Sequence, residues 1–489
     1  MVRQIRFGNV LAYGATDMIG AGAIGVISGW LLYFYTTFCG LSAAEAASIF
    51  AISRLIDALS SPIVGHISDR WGQTALGRRF GRRRFFLLFS IPLLPIFTLM
   101  WVAGQHYAYY LATYIAFDLV YAFIVIPYES LAPAMTRDFT QKSRLSGVRL
   151  LFGQIATLLA GMLPGQLVAL LGKENAQTFL IQGAIFSGVF MLAVFVTWVG
   201  TWESEALTED AQAAPAGNPI VALYKNILST LRIRAFRQHL GMYLAAYMSL
   251  DVFNIVFPYF VVFCLGGALV STSNLVGLQS AAQFLGVLAA MALIGRLQPS
   301  PTYRWSVALW SVSLVALLAI FYVAPPHKWL WLGGLMVVAG LARGALAYIP
   351  WNLYTYMGDV DEAASGQRRD GALAGVMTFV RKAAQALAVM TVGLVLQSQG
   401  FIASAKIQSP HTQAAIVWTL FGMIGVLLVG GVWTASRMSL TRRSYALLQA
   451  EIERRRTAPQ TPPDPEALRA ISALIGRPYA PPTVVEPGR

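Results

Sequence analysis

Charge is what this sequence has least of. Asp, Glu, Lys and Arg make up 12% of its 489 residues, against about 25% in a soluble globular domain. A chain of this length cannot coat a water-facing surface with so little charge. Its residues are 56% apolar and its mean hydropathy is +0.59, so the soluble class is excluded. Cysteine is nearly absent. Cys39 and Cys264 lie 225 positions apart and offer no disulfide framework. The histidines (His66, His106, His239, His327 and His411) are isolated and show no metal-ligand spacing, so neither a metal nor a resident cofactor is expected. No phosphate loop, dinucleotide fingerprint or nucleophile elbow stands in a credible context. A soluble segment large enough to bind ATP or to serve as a receptor's output is also missing. These absences argue against an enzyme, a primary pump and a receptor.

Long apolar runs are what the chain has instead. Twelve segments are long enough to cross a bilayer, which takes about 20 residues as a helix. They are read at 9–37, 42–68, 84–104, 106–135, 145–171, 177–201, 238–264, 270–295, 303–323, 329–357, 371–398 and 413–437. Helices are expected because a helix satisfies its own backbone in lipid. The net charge of +14 is placed on one side. Arg70, Arg78, Arg79, Arg82, Arg83 and Arg84 fill the second-to-third connection, and Arg137, Lys142 and Arg144 the fourth-to-fifth. Lys225, Arg232, Arg234 and Arg237, then Arg296 and Arg304, then Arg368 and Arg369 follow in the later even-numbered loops. The alternate loops offer only Lys173, Lys328 and Lys406. The positive-inside rule then puts both termini in the cytoplasm of a bacterial-type inner membrane. The basic residues mark a membrane face, with a bilayer as the partner and no nucleic acid. The short basic start from Met1 to Gly8 reads as the flank of a retained signal-anchor helix.

The chain divides into a six-helix bundle at 1–202, a linker at 203–237 with an amphipathic surface helix, a second six-helix bundle at 238–438, and a tail at 439–489. The tail is charged and proline-rich, so partial disorder is expected, with no part in transport. The two bundles are related by repeats. Residues 126–138 read IPYESLAPAMTRD and residues 349–361 read IPWNLYTYMGDVD, an offset of 223. YFYTTFC and PYFVVFC, ending at Cys39 and Cys264, repeat at an offset of 225. Parallel six-helix halves are how the major facilitator architecture is built. One chain holds both halves, so a monomer suffices.

Ionisable groups at membrane depth are costly and face a partner or a wet cavity. Asp17, Arg54, Asp57, Asp118, Glu129, Arg149, Asp251, Arg343, Arg381 and Lys382 all fall inside spans. As a set they point to a polar central cavity. Singly, each can be a packing ion pair. Arg54 and Asp57 share a helix face, and Asp57 with Ser60 and Ser61 offers oxygen ligands for a hard cation or a proton. Arg54 neutralising Asp57 is the plainer reading. Tyr128 and Trp351 occupy the repeated Ile-Pro-aromatic position and are candidate stacking faces, whereas Trp30 and Tyr33 read as core. Pro127 and Pro350 are expected to break their helices in mid-membrane.

Gly65-His-Ile-Ser-Asp69-Arg70-Trp-Gly72 with the following basic run resembles the signature loop of the major facilitator superfamily. Asp69 and Arg70, with the repeated Asp138 and Asp361, are assigned to gating. A finer resemblance rests on Tyr13-Gly-Ala-Thr-Asp17, on Arg54-Leu-Ile-Asp57 through Gly65, on Ile126-Pro-Tyr128 through Arg149, and on Gly366-Gln-Arg-Arg-Asp-Gly371 through Lys382. These are similar to the glycoside–pentoside–hexuronide:cation symporters and span both halves. The resemblance implies an all-α fold of twelve transmembrane helices in two six-helix pseudo-repeats, with alternating access. It also implies cation-coupled symport of a small solute such as a sugar or glycoside. It places a solute contact at Asp17 and at Arg149, and cation coupling at Asp57 and Lys382; the chemistry of the residues themselves adds Tyr128, Trp351 and Glu129 as candidate solute contacts, and Ser61 and Glu129 as candidates beside Asp57. Three departures matter. The family's second cation-site aspartate is Ser61 here, its fourth-helix sugar aspartate is Val125, and a sodium-site threonine is Ala122. They favour a proton over sodium as coupling ion, with Glu129 in place of the lost carboxylate. The alternative is an uncoupled facilitator or exporter of a non-sugar solute, such as a lysolipid or other amphiphile.

Overall fold

The computed structural model describes residues 5–129, 131–136, 139–172, 175–203, 229–366, 370–402, 405, 407–457 and 460–479. It is all-helical in its regular structure, with eleven helices long and apolar enough to cross a membrane among the described residues. These are α1 (Phe7–Thr37), α2 (Ala43–Arg70), α4 (Tyr107–Glu129), α5 (Phe139–Leu171), α6 (Ala176–Gly200), α7 (Arg234–Cys264), α8 (Leu269–Arg296), α9 (Pro299–Val323), α10 (Lys328–Tyr354), α11 (Asp370–Ser398) and α12 (Pro410–Ser436). The third crossing, α3, is broken into Arg84–Ser90, Ile91–Leu93 and Ile96–Leu99. Pro92 and Pro95 remove two amide donors within one turn, so the ladder tightens and resets there. The count of twelve expected from the apolar runs thus holds. α7 begins four residues before its sequence-read start, because Arg234 and Arg237 are carried on its first turn.

Local signals explain several ends. Ser42 caps α2 by accepting from the amide of Glu45 at 3.2 Å, while Glu45 accepts from the Ser42 amide at 2.9 Å. α1 and α7 each contain a widened turn, Ile27–Leu31 and Phe260–Cys264. A third widened turn, Thr419–Met423, lies in α12.

Pro127 and Pro350 do not break their helices, contrary to expectation. Each lies inside a continuous helix that runs past it. Around Pro350, side chains of α7 reach the backbone of α10. The Tyr247 hydroxyl donates to Ala347 O at 3.1 Å, and His239 Nε2 lies 2.9 Å from Pro350 O. Neighbouring helices that contact the backbone in this way are part of what makes proline tolerable in a membrane helix.

Within the second half, α8 and α10 approach at backbone distance. A Cβ added at Gly340 or Gly344 would collide with the Gln279 and Gln283 carbonyls of α8. This is small-residue packing, which substitutes close dispersion contact for the hydrophobic effect that lipid cannot supply.

Between the halves, α2 packs on α11 and α5 on α8. Named contacts cluster toward one end of the bundle. Thr36 Oγ1 and Tyr259 OH are 2.8 Å apart, the Ala44 amide donates to Gln397 at 2.8 Å, and Gln166 donates to Asn274 at 3.1 Å.

The tail departs from its sequence reading. Its described residues form two helices, Arg442–Thr457 and Pro465–Ile475, which bury Leu448, Ile471 and Leu474 completely. Ala467, Ile471, Leu474 and Ile475 form a helical stripe that overall composition conceals. Tyr445 donates to Asp359 at 2.6 Å and Arg477 to Ala364 O at 3.0 Å, so the hairpin sits on the short helix Met357–Ser365. Glu451, 2% exposed, accepts from Arg454 at 2.6 and 2.8 Å, which holds its carboxyl below the usual range. The amphipathic helix expected in the linker lies largely outside the described residues.

Candidate functional site

Three groups of paired charge lie within the membrane-spanning helices. The first belongs to the N-terminal half. The Arg149 guanidinium of α5 donates through Nε to Asp17 Oδ1 at 2.9 Å and through Nη2 to Glu129 Oε1 at 3.2 Å. It also lies 5.1 Å from the centre of the Tyr128 ring. Tyr128 is held by its hydroxyl on Tyr13 O at 2.9 Å and by the Tyr13 ring at 4.8 Å. Asp17 is positioned by an offset in α1 at Thr16, whose hydroxyl meets Thr197 at 2.7 Å. Asp17 is buried, whereas the Glu129 side chain is 56% exposed. An acid, a guanidinium and a ring face converge here, the set that polyhydroxylated molecules use for paired hydrogen bonds and stacking.

The second group joins the halves. Lys382 Nζ of α11 lies 2.7 Å from Asp57 Oδ2 and 2.8 Å from Ser61 Oγ, both on α2. Ser61 in turn donates to Asp57 Oδ1 at 3.2 Å. Arg54 Nη1 sits between Asp57 at 3.8 Å and Asp118 at 3.6 Å. Asp57 and Asp118 are both almost wholly buried. Two cations meet two anions, so the group is neutral as it stands, which is what makes its burial tolerable.

The third group belongs to the C-terminal half. Arg381 of α11 pairs closely with Asp251 of α7. Its guanidinium lies 5.1 Å from the centre of the Tyr247 ring, and Trp351 Nε1 donates to the Tyr247 hydroxyl at 2.7 Å. Arg343 of α10 is buried nearby and donates to Asn254 at 2.7 Å.

The structure therefore brings Asp17, Tyr128, Glu129 and Arg149 together, and separately brings Asp57, Ser61 and Lys382 together. Glu129 contacts Arg149 rather than the Asp57 group. Trp351 stands with Tyr247 in the third group, 47% exposed. Trp30 and Tyr33 are core residues, Trp30 donating to Ala160 O at 2.9 Å. Of the gating residues, Asp361 is buried in the helix Met357–Ser365. Asp69 and Arg70 end α2 with side chains outside the described set, and Asp138 lies outside the described residues. The roles of Asp118, Asp251 and Arg381 were not legible beforehand. Their presence inside spans was the signal, but spacing could not pair residues more than sixty positions apart.

The fold and this polar centre define a polytopic membrane transporter rather than an enzyme. The chain belongs to the MFS/sugar transport protein family, whose profile matches residues 12–442. It is 26% identical over 461 residues to the putative glycoside/cation symporter YagG of Escherichia coli strain K12, covering 92% of this chain and 94% of that one. It is also 26% identical over 556 residues to the uncharacterized symporter sll1374 of Synechocystis, covering 92% and 97%. Among solved structures it resembles the nucleoside transporter NupG with a TM-score of 0.58 at 15% identity, covering 87% of this chain and 98% of that one. That last likeness speaks to fold alone.

Proposed function

We propose that this protein is a proton-coupled symporter of a sugar or glycoside, working by alternating access in an inner membrane with both termini in the cytoplasm. The observation that carries the coupling ion is the position of Lys382. Its ammonium rests on Asp57 and Ser61, the oxygens a sodium ion would need, so the metal's place is already filled by a tethered cation. A proton needs no such cage. Protonating Asp57 removes the charge that holds Lys382, and with it a bond between α2 and α11. The proton thereby acts on the contact that ties one half to the other.

Arg149, Asp17 and Glu129, over the Tyr128 ring, supply the polar contacts for the solute in the first half. The printed description of the YagG relative as a glycoside/cation symporter supports the solute class. With cytoplasmic termini, the inter-half contacts at Thr36, Ala44 and Gln166 lie at the outer end, which supports an inward-facing state. One chain supplies both halves, so a monomer is sufficient.

The test is solute-driven ion flux in proteoliposomes. A panel of mono- and disaccharides, glycosides and uronates is added while external pH and sodium are recorded. External alkalinisation with one solute, absent in Asp57→Asn, is the expected result. Uptake driven by sodium without proton movement overturns the proton assignment. The same tethered ammonium also suits an uncoupled carrier, and counterflow indifferent to both gradients selects that reading.

A further inference from the structure

The tail hairpin meets the rest of the protein at a junction that gathers positive charge. A helix stop sets this up. Gly476 ends the helix Pro465–Ile475 with φ +81°, its amide donating to Ser472 O at 2.8 Å, and Pro478 keeps the helix from resuming. The reversal brings Arg477 to the helix Met357–Ser365, where its Nη2 donates to Ala364 O at 3.0 Å. Gly476 itself lies against Arg234, the first residue of α7, so closely that an added Cβ would fall 2.8 Å from the Arg234 Cβ. Opposite stands the turn that leads into α7. Arg237 fixes its shape, Nη1 donating to Leu231 O at 2.9 Å and to Arg232 O at 3.1 Å.

A cavity of about 150 Å³ opens between these segments. Arg232, Arg477, Ser229 and Ser365 give it polar walls, and Ile233 and Ile475 apolar ones. Among the described residues no carboxylate lies within ion-pairing distance of Arg232, Arg234 or Arg477. Acids of the tail and its docking helix are engaged elsewhere: Asp359 by Tyr445, Glu466 by Arg443 and Glu451 by Arg454. Guanidiniums gathered without an acid repel one another, so the docked tail carries an unbalanced positive charge. Donors are also in surplus. Arg477 spends one of its five N–H groups on Ala364 O, and the Arg232 side chain spends none on an acceptor among the described residues. The serines add less, because the Ser365 hydroxyl already donates to Asp361 O at 2.8 Å.

We propose that this cavity is a binding site for a phosphate group, which clasps the tail hairpin to the end of the linker and the start of α7. The planar forks of Arg232 and Arg477 match the oxygens of a phosphate, and its charge offsets theirs. With the group bound, the junction is neutralised and the hairpin stays docked. Without it, like charges loosen the hairpin from the turn. On the orientation proposed above the cavity faces the cytoplasm, so a soluble phosphate ester and an anionic lipid headgroup can both supply the group. The site does not depend on which solute or ion the protein carries.

The experiment follows thermal unfolding of the purified full chain in a maltoside detergent, together with the rate at which a protease removes the tail. Inorganic phosphate is compared with chloride at equal ionic strength, so that screening alone is matched. Phosphate is expected to raise the unfolding midpoint and slow tail cleavage. Arg232→Gln should weaken that response about tenfold or more. Its midpoint without phosphate should not fall, because Arg232 makes no side-chain bond to lose and one repelling charge is gone. Arg477→Lys keeps the charge, loses the fork, and should weaken the response by a similar factor. A second arm compares nanodiscs of phosphatidylcholine with nanodiscs containing phosphatidylglycerol. Stabilisation confined to phosphatidylglycerol and lost in Arg232→Gln upholds the site and assigns it to a lipid headgroup, whereas a response to phosphate in detergent assigns it to a soluble ester. Equal stabilisation by chloride, no stabilisation in either arm, or a native-like response from Arg232→Gln refutes the site.

Discussion

Lys382→Met removes the tethered cation from the seam between the halves. Two cations then become one against Asp57 and Asp118, and a buried site acquires an uncompensated negative charge. Breaking one side of a buried pair costs about 3–5 kcal/mol. Asp57→Asn has the mirror effect, leaving Arg54 and Lys382 against Asp118 alone. The double variant restores neutrality through Arg54 and Asp118, so it should be less destabilised than the sum of its parents by about 2–3 kcal/mol. The assay is a double-mutant cycle on thermal or denaturant unfolding of purified protein in detergent. A second readout follows from the same charge count. Lys382→Met should gain a sodium-dependent stabilisation that the native protein lacks, because the vacated oxygens of Asp57 and Ser61 are then available. Additive single effects, with no response to sodium, would refute the reasoning that Lys382 occupies a cation's place.

Other outcomes follow from the same geometry. Arg149→Lys keeps the charge but loses the fork that spans Asp17 and Glu129, and solute affinity should fall about tenfold to a hundredfold in equilibrium binding, one to two hydrogen bonds' worth. Gly344→Val drives a side chain into the Gln283 carbonyl and should cost about 3 kcal/mol or more, read as lost folded yield, while Gly147→Ala, with open space around it, should be neutral. The Glu451 carboxyl is held below its ordinary value by Arg454, so its contribution is present above the usual glutamate range and is lost as pH falls through the depressed folded value. Limited proteolysis should accordingly find the tail hairpin protected at neutral pH and cleaved faster in strong acid, and Glu451→Ala should show faster cleavage at neutral pH.

Much of the fold was legible because a bilayer leaves few choices. Apolar runs of bilayer length must be helices, and the side on which Arg and Lys collect orders them. The repeat between IPYES and IPWNL marks the two halves in the sequence itself. Side-chain partnership was less legible. Asp17 and Arg149 are 132 positions apart, and Lys382 reaches Ser61 across 321. No local rule pairs residues at such separations; only the packing of α5 against α1 and of α11 against α2 does. The tail misled for the opposite reason. Its prolines and charges dominate composition, yet Ala467, Ile471, Leu474 and Ile475 lie on one helical face, and that face finds a docking surface on the second half.

The sequence by itself determined the solvent of this protein, its number of crossings, its twofold internal plan and the inventory of charge it had to bury. Each of these follows from one-dimensional quantities: run length, loop charge and repetition. The tertiary structure decided which charge meets which. The cost of a buried ion is met only by a partner within a few ångströms, and that proximity is a property of helix packing. Arg54 could neutralise Asp57 by spacing alone, yet in the folded bundle it sits between Asp57 and Asp118, and the closest cation to Asp57 arrives from the other half.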